Sequence, residues 1–408
     1  MVLPIRLLHF ADLHIGMENY GQLDPQTGTS SRVRDFLDRF DQVIDYGLHQ
    51  QADLVIFAGD AFKSRDPNPT QQREFARRLK RLADQVPVLL VVGNHDLPAM
   101  ASKATSVDIF HALDVPNVIV GHTPEGRVIE TRRGPLFLAW MPYPMRNRLL
   151  TQEHHRGSSV EELDLALREA VAVVVEDLAR QASDHDIPRV LSGHFSVAEA
   201  KLGSERTVML GRDVAVTNSV IAHSTWDYVA LGHIHKHQDV NRGRYPSVVY
   251  SGSLERVDFG EEKEPKGFCW VQLTRGATEW GFIPVDARPF LTITVNTGEC
   301  DNPTDAVIDA IERHDIAEVV VRLIIQLRSE QGPALVQAEI DAALANAYSH
   351  TVIREVEHEA RTRIGVLAAE TLSSSELTER YFLDKGYDSE RVEQLLQAAS
   401  GVFEGNIE

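Results

Sequence analysis

The chain has 408 residues, a hydrophobic content of 43% and a formal net charge of −19. This length exceeds that of one small domain and predicts two or three globular units. Two cysteines are too few for a disulfide framework, which fits a reducing cytoplasm. The acidic charge argues against strong autonomous binding to nucleic acid, although bound cations or a basic partner could offset it.

The apolar segments are short. The N-terminal segment MVLPIRLLHFADLHIG is interrupted by Arg6 and His9 and lacks a small-residue cleavage site, so it predicts a strand rather than a signal peptide. The apolar run at residues 170–175 is far below the roughly 20 residues that cross a bilayer. We therefore expect a cytoplasmic protein with no membrane segment.

Short apolar runs alternate with longer amphipathic stretches, a pattern that predicts an α/β or α+β layered core. The predicted strands lie at residues 5–11, 54–58, 86–92, 136–141, 189–192 and 228–231. The predicted helices lie at residues 32–50, 70–85, 102–113 and 160–183. Later strands separated by turns indicate a closing antiparallel layer, at residues 248–251, 268–273 and 279–285.

A second unit is predicted to begin near residues 286–289. Its pattern alternates strand and helix, with a strand from residue 290, a helix at 303–313, a strand at 318–327, a helix at 333–347 and a strand at 351–356. The tail contains two amphipathic helix candidates, at residues 375–383 and 389–398. The expected domains are therefore 1–286, a smaller α+β domain at 287–358 and a helical tail at 359–408.

Polar clusters follow five of the predicted core strands. They are Asp12-x-His14, Gly59-Asp60, Gly93-Asn94-His95-Asp96, Gly193-His194 and Gly232-His233-x-His235. Residues i and i+2 of an extended segment point to the same side, so the two x-spaced pairs can each reach one site. A glycine permits the tight turn that directs the next side chain over the carboxyl end of its strand.

These clusters supply carboxylate, amide and imidazole groups without a thiolate, a mixed oxygen and nitrogen ligand set. We expect Mn²⁺, with Mg²⁺, Fe²⁺ and Zn²⁺ as alternatives. Asp60 could bridge two ions about 3.5–4 Å apart, as in two-metal phosphoesterases. Each cluster alone has an ordinary explanation as a turn, a helix cap or a buried histidine, but their combination predicts a metal site. His9 and His237 are expected to be structural or surface groups, and residues 261–266 a solvated loop.

The ordered set of clusters resembles the calcineurin-like metallophosphoesterase superfamily. Within it, the segments HFADLHIG, GDAFKSRDPNP and YSGSLERVDFGEE resemble the SbcD branch, also called the Mre-eleven nucleases. The resemblance covers essentially the whole chain. It implies an α/β fold with a four-layered α/β/β/α nuclease domain, a smaller α+β capping domain that recognises DNA, and a helical C-terminal tail that could dock an ATPase.

The resemblance also implies roles for individual residues. The implied ligands of two ions are Asp12, His14, Asp60 and His235 for one, and Asp60, Asn94, His194 and His233 for the other. His95 would stabilise the transition state or protonate the leaving oxygen, and Asp96 would orient His95 or cap the following turn. Lys63 stands where many relatives carry a histidine associated with exonuclease action. It could contact a DNA phosphate as a point charge or simply lie on the surface.

Members of this branch act in DNA repair and recombination, as 3′ to 5′ exonucleases on duplex ends and endonucleases on single strands and hairpins. The resemblance therefore implies DNA, a second copy of the chain and an SbcC-type ABC ATPase as partners. Val107 and Phe110 are candidate dimer contacts or ordinary core residues, and the tail helices are a candidate ATPase-docking segment. Two alternatives remain open: an enzyme for a small or cyclic phosphodiester, and a catalytically silent scaffold for an ABC ATPase.

Overall fold

The computed structural model describes residues 3–26, 28–98, 103–145, 159–203, 215–298, 300–328, 332, 334–357 and 374–403. The chain divides into two compact units. The first comprises Met1–Ile293, Asp315–Arg322 and Leu344–Thr351. The second comprises Thr294–His314, Leu323–Ala343 and Val352–Glu408.

Strands and helices alternate along the first part of the chain. In order they are β1 (Ile5–Phe10), α1 (Ser31–His49), β2 (Leu54–Phe57), α2 (Pro69–Ala83), β3 (Val88–Val91), α3 (Asp108–Ala112), β4 (Val118–Gly121), β5 (Glu125–Thr131), β6 (Gly134–Met141), α4 (Val160–Ser183), β7 (Arg189–His194), β8 (Ser196–Val197), β9 (Ala215–Val216), α5 (Asn218–Ile221) and β10 (Tyr228–Gly232).

Strands dominate the next part, and helices return towards the end. The elements are β11 (Gln238–Asp239), β12 (Ser247–Tyr250), a 3₁₀ turn (Phe259–Glu261), β13 (Gly267–Leu273), β14 (Glu279–Pro284), β15 (Phe290–Asn296), α6 (Pro303–Glu312), β16 (Val320–Arg328), α7 (Gln337–Ala343), β17 (Ser349–Glu357), α8 (Ser374–Asp384) and α9 (Ser389–Phe403).

Two six-stranded sheets form the body of the first unit, in the orders β14-β13-β1-β2-β3-β4 and β11-β12-β10-β7-β6-β5. The central strands of each sheet are parallel. Antiparallel strands lie at the edges, where β13 pairs with β1 and β5 pairs with β6. The carboxyl ends of the parallel strands therefore meet at one end of each sheet, which is where ligand sites form in α/β folds.

The sheets are packed face to face and covered by helices. Leu7 and Ile56 of the first sheet share a buried core with Leu138 and Tyr228 of the second. Helices α1 and α2 cover the outer face of the first sheet, and α4 covers that of the second. These four layers confirm the predicted α/β/β/α class. Parallel strands buried on both faces read as continuous apolar runs, which is why the sequence revealed them.

The helix starts are visible in the sequence. Asn68 accepts a hydrogen bond from the Gln71 backbone N–H, and the Gln71 side chain accepts one from the Asn68 N–H. Ser159 and Glu162 form the same capping box at the start of α4. Each box satisfies N–H groups that a helix leaves without partners, so it fixes where the helix begins.

Some elements differ from the predictions. Residue 102 of the predicted helix 102–113 lies outside the described residues, and of residues 103–113 only 108–112 are helical. The reason is that the Thr105 N–H donates to the Asp108 carboxylate and the Ser106 N–H to the Asp96 carbonyl. Strands β4 and β5 were not predicted. Strand β12 runs parallel to β10, so it does not join the predicted antiparallel layer, whereas β13 and β14 are antiparallel.

The later elements include a three-stranded sheet in the order β15-β16-β17. Each of its strands begins in the first unit and continues into the second. Of the predicted helix 333–347, the described part is helical only at Gln337–Ala343. Both predicted tail helices are present as α8 and α9. Among the described residues, no helix is both long and apolar enough to cross a membrane.

Candidate metal centre

All the predicted ligands lie in the first unit, in the turns that follow β1, β2, β3 and β10 or at the end of β7. Four of them have a positive backbone φ: Asp12 at 52°, His14 at 47°, Asp60 at 61° and His233 at 97°. Non-glycine residues rarely adopt this conformation, which costs of order 1–3 kcal/mol each and is concentrated at functional sites. The backbone is thus held in strained turns that direct polar side chains towards one point.

Two glycines in these turns are required by space. A Cβ on Gly59 would lie 2.2 Å from Nδ1 of His194, and a Cβ on Gly93 would lie 2.1 Å from Oδ1 of Asp60. Gly59 also has φ +101°, a conformation that only glycine adopts at no steric cost. Gly59 and Gly93 therefore each make room for a ligand from another strand.

The structure brings the predicted ligands into two groups. Asp12, His14 and His235 form one group, and Asp60, His194 and His233 form the other; in each, the nearest ligand atoms all lie within 4.8 Å of one another. Oδ2 of Asp60 lies 3.8 Å from Nε2 of His14 and 3.3 Å from Nε2 of His194. Asp60 therefore reaches both groups, as expected of a bridging carboxylate.

Asn94 completes the second group. Its Oδ1 atom lies 3.1 Å from Nε2 of His194 and 2.9 Å from Nδ1 of His233. All seven predicted ligands are thus adjacent in space, although up to 223 positions separate them in the chain, the distance from Asp12 to His235.

Two of the histidine ligands are oriented by contacts at Nδ1, the ring nitrogen that points away from the other ligands. Nδ1 of His194 lies 2.7 Å from the Ala58 carbonyl oxygen, to which only an N–H can donate. Nδ1 of His235 lies 2.7 Å from Oε1 of Glu261. In both rings Nε2 is then the nitrogen left to accept, and it faces the other ligands. This arrangement is typical of metal-binding histidines.

The resulting contacts are unfavourable without a cation. Nε2 of His235 lies 2.9 Å from Nε2 of His14, so two ring nitrogens oppose each other. Nε2 of His194 faces two acceptor oxygens, Oδ1 of Asn94 and Oδ2 of Asp60. Burying acceptors against acceptors is costly unless a proton or a metal ion lies between them. The side chains present therefore fit divalent cations.

The pKa values agree with this charge balance. Burial alone lowers the pKa of His194, but the carboxylates of Asp60 and Asp12 outweigh it and raise that pKa to about 9. Burial alone raises the pKa of Asp60, but the surrounding histidines hold it below its usual value. Burial, together with His235, holds the pKa of His14 well below its usual range. The carboxylates thus favour additional positive charge at this centre.

His95 lies beside the ligands and is partly exposed. Its backbone N–H donates to Oδ1 of Asp60, and its Nδ1 lies 2.7 Å from the Lys63 carbonyl oxygen. The ring is therefore oriented by the main chain of Lys63. Its centre lies 4.8 Å from that of the His14 ring, in an edge-to-face arrangement.

Asp96 does not orient His95, contrary to one of the two predicted roles. Its carboxylate accepts hydrogen bonds from the backbone N–H groups of Gly93, Asp60 and Ala61 at 3.0–3.1 Å. It also accepts from the hydroxyl of Ser106 at 3.3 Å, in the turn that follows. Asp96 thus ties together the two turns that carry Asp60 and Asn94.

The charged stretch 261–266 is only partly the predicted solvated loop: Lys263 and Pro265 are exposed, but three charged residues are buried. Glu261 is fully buried, and Lys266 and Glu264 are nearly so. The Lys266 ammonium lies 2.8 Å from Oε2 of Glu261. Charge composition alone predicts exposure, but each of these three buried charges has a partner of opposite charge that allows its burial. The stretch overlaps and follows the segment YSGSLERVDFGEE, whose family resemblance was the sequence feature that could have indicated a structural role for it.

His9 and His237 stay outside the ligand groups, as expected of structural histidines. His9 is fully buried, with its ring nitrogens 3.1 Å from the Tyr228 hydroxyl and 3.2 Å from the Leu231 carbonyl oxygen. Burial lowers the pKa of His9 to about 3. His237 stacks on Phe282, with 4.1 Å between the ring centres.

The residues that carry this centre match a known family. The model of the calcineurin-like phosphoesterase family matches residues 5–237, which is more than half of the chain. The chain therefore belongs to the calcineurin-like phosphoesterase family, as the sequence predicted.

Its relatives include named nucleases. The chain is 30% identical to the SbcD component of nuclease SbcCD from Bacillus subtilis, over 67% of this chain and 67% of that protein. It is 27% identical to the SbcD component of nuclease SbcCD from Escherichia coli K12, over 67% of this chain and 66% of that protein. It is also 25% identical to the DNA double-strand break repair protein Mre11 of Archaeoglobus fulgidus, over 78% of this chain and 67% of that protein.

Proposed function

We propose that this chain is a metal-dependent DNA nuclease, the nuclease subunit of an SbcCD-type complex that acts in DNA repair. One observation carries the proposal: seven ligands, six of them buried and Asn94 partly exposed, converge so that Asp60 reaches both groups. The relatives named for nuclease SbcCD and for Mre11 supply the substrate class. The reaction is hydrolysis of DNA phosphodiester bonds, as a 3′ to 5′ exonuclease on duplex ends and as an endonuclease on single strands or hairpins.

The proposed ligands divide between two cations that share Asp60. They are Asp12, His14, Asp60 and His235 for one ion, and Asp60, Asn94, His194 and His233 for the other. Mn²⁺ is the proposed metal, since oxygen and imidazole ligands without thiolate suit it. When bound, such ions polarise a phosphodiester and lower the pKa of water. Four of these ligands, Asp12, His14, Asp60 and His233, are held in the strained turns described above.

His95 is the proposed proton donor to the leaving oxygen. Its contact with the Lys63 carbonyl fixes Nδ1 as the protonated nitrogen when the ring is neutral, so Nε2 is the atom that can exchange a proton with substrate. Partial exposure allows the ring to reach a bound phosphodiester. Lys63 is a candidate phosphate contact. Because it stands where many relatives carry a histidine, we expect it to affect the balance between exonuclease and endonuclease activity.

The proposed organisation is a nuclease domain at residues 1–286, a capping domain at 287–358 and an ATPase-docking tail at 359–408. The proposed partners are DNA, an SbcC-type ABC ATPase and a second copy of the chain, all in the cytoplasm. Val107 and Phe110 are 1% and 8% exposed and belong to the core, so a dimer contact on α3 would use its exposed Ile109 and Leu113. The net charge of −19 supports dependence on cations and a partner for DNA binding.

The test is cleavage of end-labelled hairpin and blunt duplex DNA with Mn²⁺. The wild type is compared with His95→Ala and Asp60→Ala, and with His49→Ala as a control, since His49 is an exposed residue at the end of α1. We expect both site variants to lose cleavage and the control to keep it.

Other results would support the alternatives. Robust hydrolysis of a small phosphodiester with no cutting of DNA would make this chain a general phosphodiesterase. No hydrolysis of either substrate by the wild type, with or without an SbcC-type partner, would favour the silent scaffold.

A further inference from the structure

Glu261 is a buried carboxylate behind the metal centre. It ends the 3₁₀ turn Phe259–Glu261 and has no solvent exposure. Its Oε1 atom lies 2.7 Å from Nδ1 of His235. Its Oε2 atom accepts a hydrogen bond of 2.9 Å from the Val257 N–H and lies 2.8 Å from the Lys266 ammonium.

Lys266 links this carboxylate to the turn that carries His235. Its ammonium lies 2.9 Å from the Ser253 hydroxyl and 3.3 Å from the His235 carbonyl oxygen. The same buried cation therefore contacts both Glu261 and the main chain of His235. Because a buried carboxylate without a partner is strongly unfavourable, Lys266 allows Glu261 to remain charged beside the imidazole.

We propose that Glu261 is a positioning residue for metal binding, which holds His235 as its Nδ1–H tautomer and so presents the Nε2 lone pair to the ion. This inference rests on the proposed metal site. Glu261 contacts His235 at Nδ1 and not at Nε2, the nitrogen proposed to bind the ion, so we place its action on the metal through His235. Lys266 supports it by balancing its charge and by fixing its distance from the ring.

Glu264 provides a matched control. It is nearly buried, lies three residues from Glu261 and approaches the same Lys266 ammonium at 3.5 Å. Its other ion pair is with Lys236, and no hydrogen bond joins it to His235 among those described. A substitution at Glu264 therefore disturbs the same buried charge cluster without removing the contact with the imidazole.

The first experiment measures Mn²⁺ binding to the full-length protein by titration calorimetry. The variants are Glu261→Gln, which removes the charge at constant size, Glu261→Asp, which keeps a charge beside Lys266 but withdraws the carboxylate from His235, and Glu264→Gln. Loss of such a partner behind a metal ligand typically costs 10–100-fold in affinity. We expect both Glu261 variants to weaken one Mn²⁺ site by about 10-fold or more and Glu264→Gln to leave both sites unchanged.

Wild-type affinity in a folded Glu261→Asp or Glu261→Gln protein would overturn the inference, as would an equal loss in Glu264→Gln. Failure of the wild type to bind Mn²⁺ at all would instead count against the proposed metal site, so the two failures are distinguishable.

The decisive result of the second experiment comes from the wild-type protein, so it does not depend on whether a Glu261 variant folds. The tautomer of His235 is read from nitrogen chemical shifts in metal-free protein with ¹⁵N-labelled histidine, the signal being assigned by its absence in His235→Ala. We expect a proton on Nδ1 in the wild type and a mixture of tautomers in Glu261→Gln. A wild-type ring protonated on Nε2 would overturn the inference.

Discussion

Two clusters of buried charge in the first unit differ in how their charges are balanced. In the metal centre, lone pairs converge that need a proton or a cation between them: Nε2 of His14 lies 2.9 Å from Nε2 of His235. In a second cluster, Asp35 lies between two guanidinium groups, with three contacts of 2.7 Å to Arg32 and Arg288. The first cluster is complete only with added positive charge, whereas the second supplies its own.

The arginine cluster joins segments far apart in the chain. Arg288 also stacks on Tyr348, with its guanidinium carbon 3.5 Å from the ring centre, and its backbone N–H donates to buried Glu255. Such internal pairing holds a fold together, because breaking one partner leaves a buried charge. The comparison teaches that buried charged groups indicate a binding site only where the protein does not itself supply the opposite charge that balances them.

The largest expected effect is that of Asp60→Asn on catalysis. We expect DNA cleavage to fall by on the order of 10³-fold or more, because one substitution removes a ligand shared by both groups. The metal-free protein should keep its free energy of unfolding within about 1 kcal/mol, since asparagine tolerates the positive φ of this position and its Oδ1 can still accept the hydrogen bond from the His95 N–H. Urea denaturation with chelator checks the second part, and a large loss of stability there would break the comparison.

Arg288→Ala should lower the stability of the protein but leave metal binding unchanged, the opposite of Asp60→Asn. We expect a loss of about 3 kcal/mol in the free energy of unfolding, because Asp35 loses one of its two guanidinium partners in a largely buried setting. Metal affinity should be unchanged in the folded protein. The control is Arg34→Ala, whose side chain is 56% exposed and pairs with Asp24; its loss should stay below about 1 kcal/mol. Equal losses in both variants would show that the cluster does not hold the fold.

Mn²⁺ should stabilise the protein through the first cluster alone. At free Mn²⁺ of 100 times the Kd of each site, we expect about 2.7 kcal/mol of added stability per site, or about 5.4 kcal/mol for two sites, in the wild type and in Arg288→Ala. Asp60→Asn should gain much less. Thermal unfolding with Mn²⁺ or chelator measures this, and an equal gain in all three proteins would indicate binding elsewhere.

The smallest effect concerns pH. Burial alone raises the pKa of Asp35, but its hydrogen bonds and charge contacts with Arg288 and Arg32 outweigh it and hold that pKa below its usual value. A lowered pKa in the folded state contributes stability above the unfolded value of about 3.9, and that stability is lost as pH falls through the folded pKa. At pH 7 the free energy of unfolding of the wild type should exceed that of Asp35→Asn by about 1–2 kcal/mol. Denaturation at several pH values should show this gap closing below about pH 4.

The comparison also explains which parts were predictable. The ligands of the metal centre directly follow apolar strands, in short patterns such as Gly-Asn-His-Asp, so local sequence reveals them. Glu261 lies 26 residues beyond His235 in a charged stretch, and composition favoured exposure. Asp35 and Arg288 are 253 positions apart, and nothing local to either residue indicates the other.

The sequence by itself determined the layered class, the central strands and the polar residues at their ends, because period, burial and turn chemistry are local properties. It also carried the family resemblance. Only the tertiary structure decided that Asp96 ties two turns together rather than orienting His95, that Lys63 uses its carbonyl to hold that ring, and that Glu261, Glu264 and Lys266 are buried. Each of these depends on which side chain meets which backbone group across the sheets, and that pairing exists only once the layers have packed.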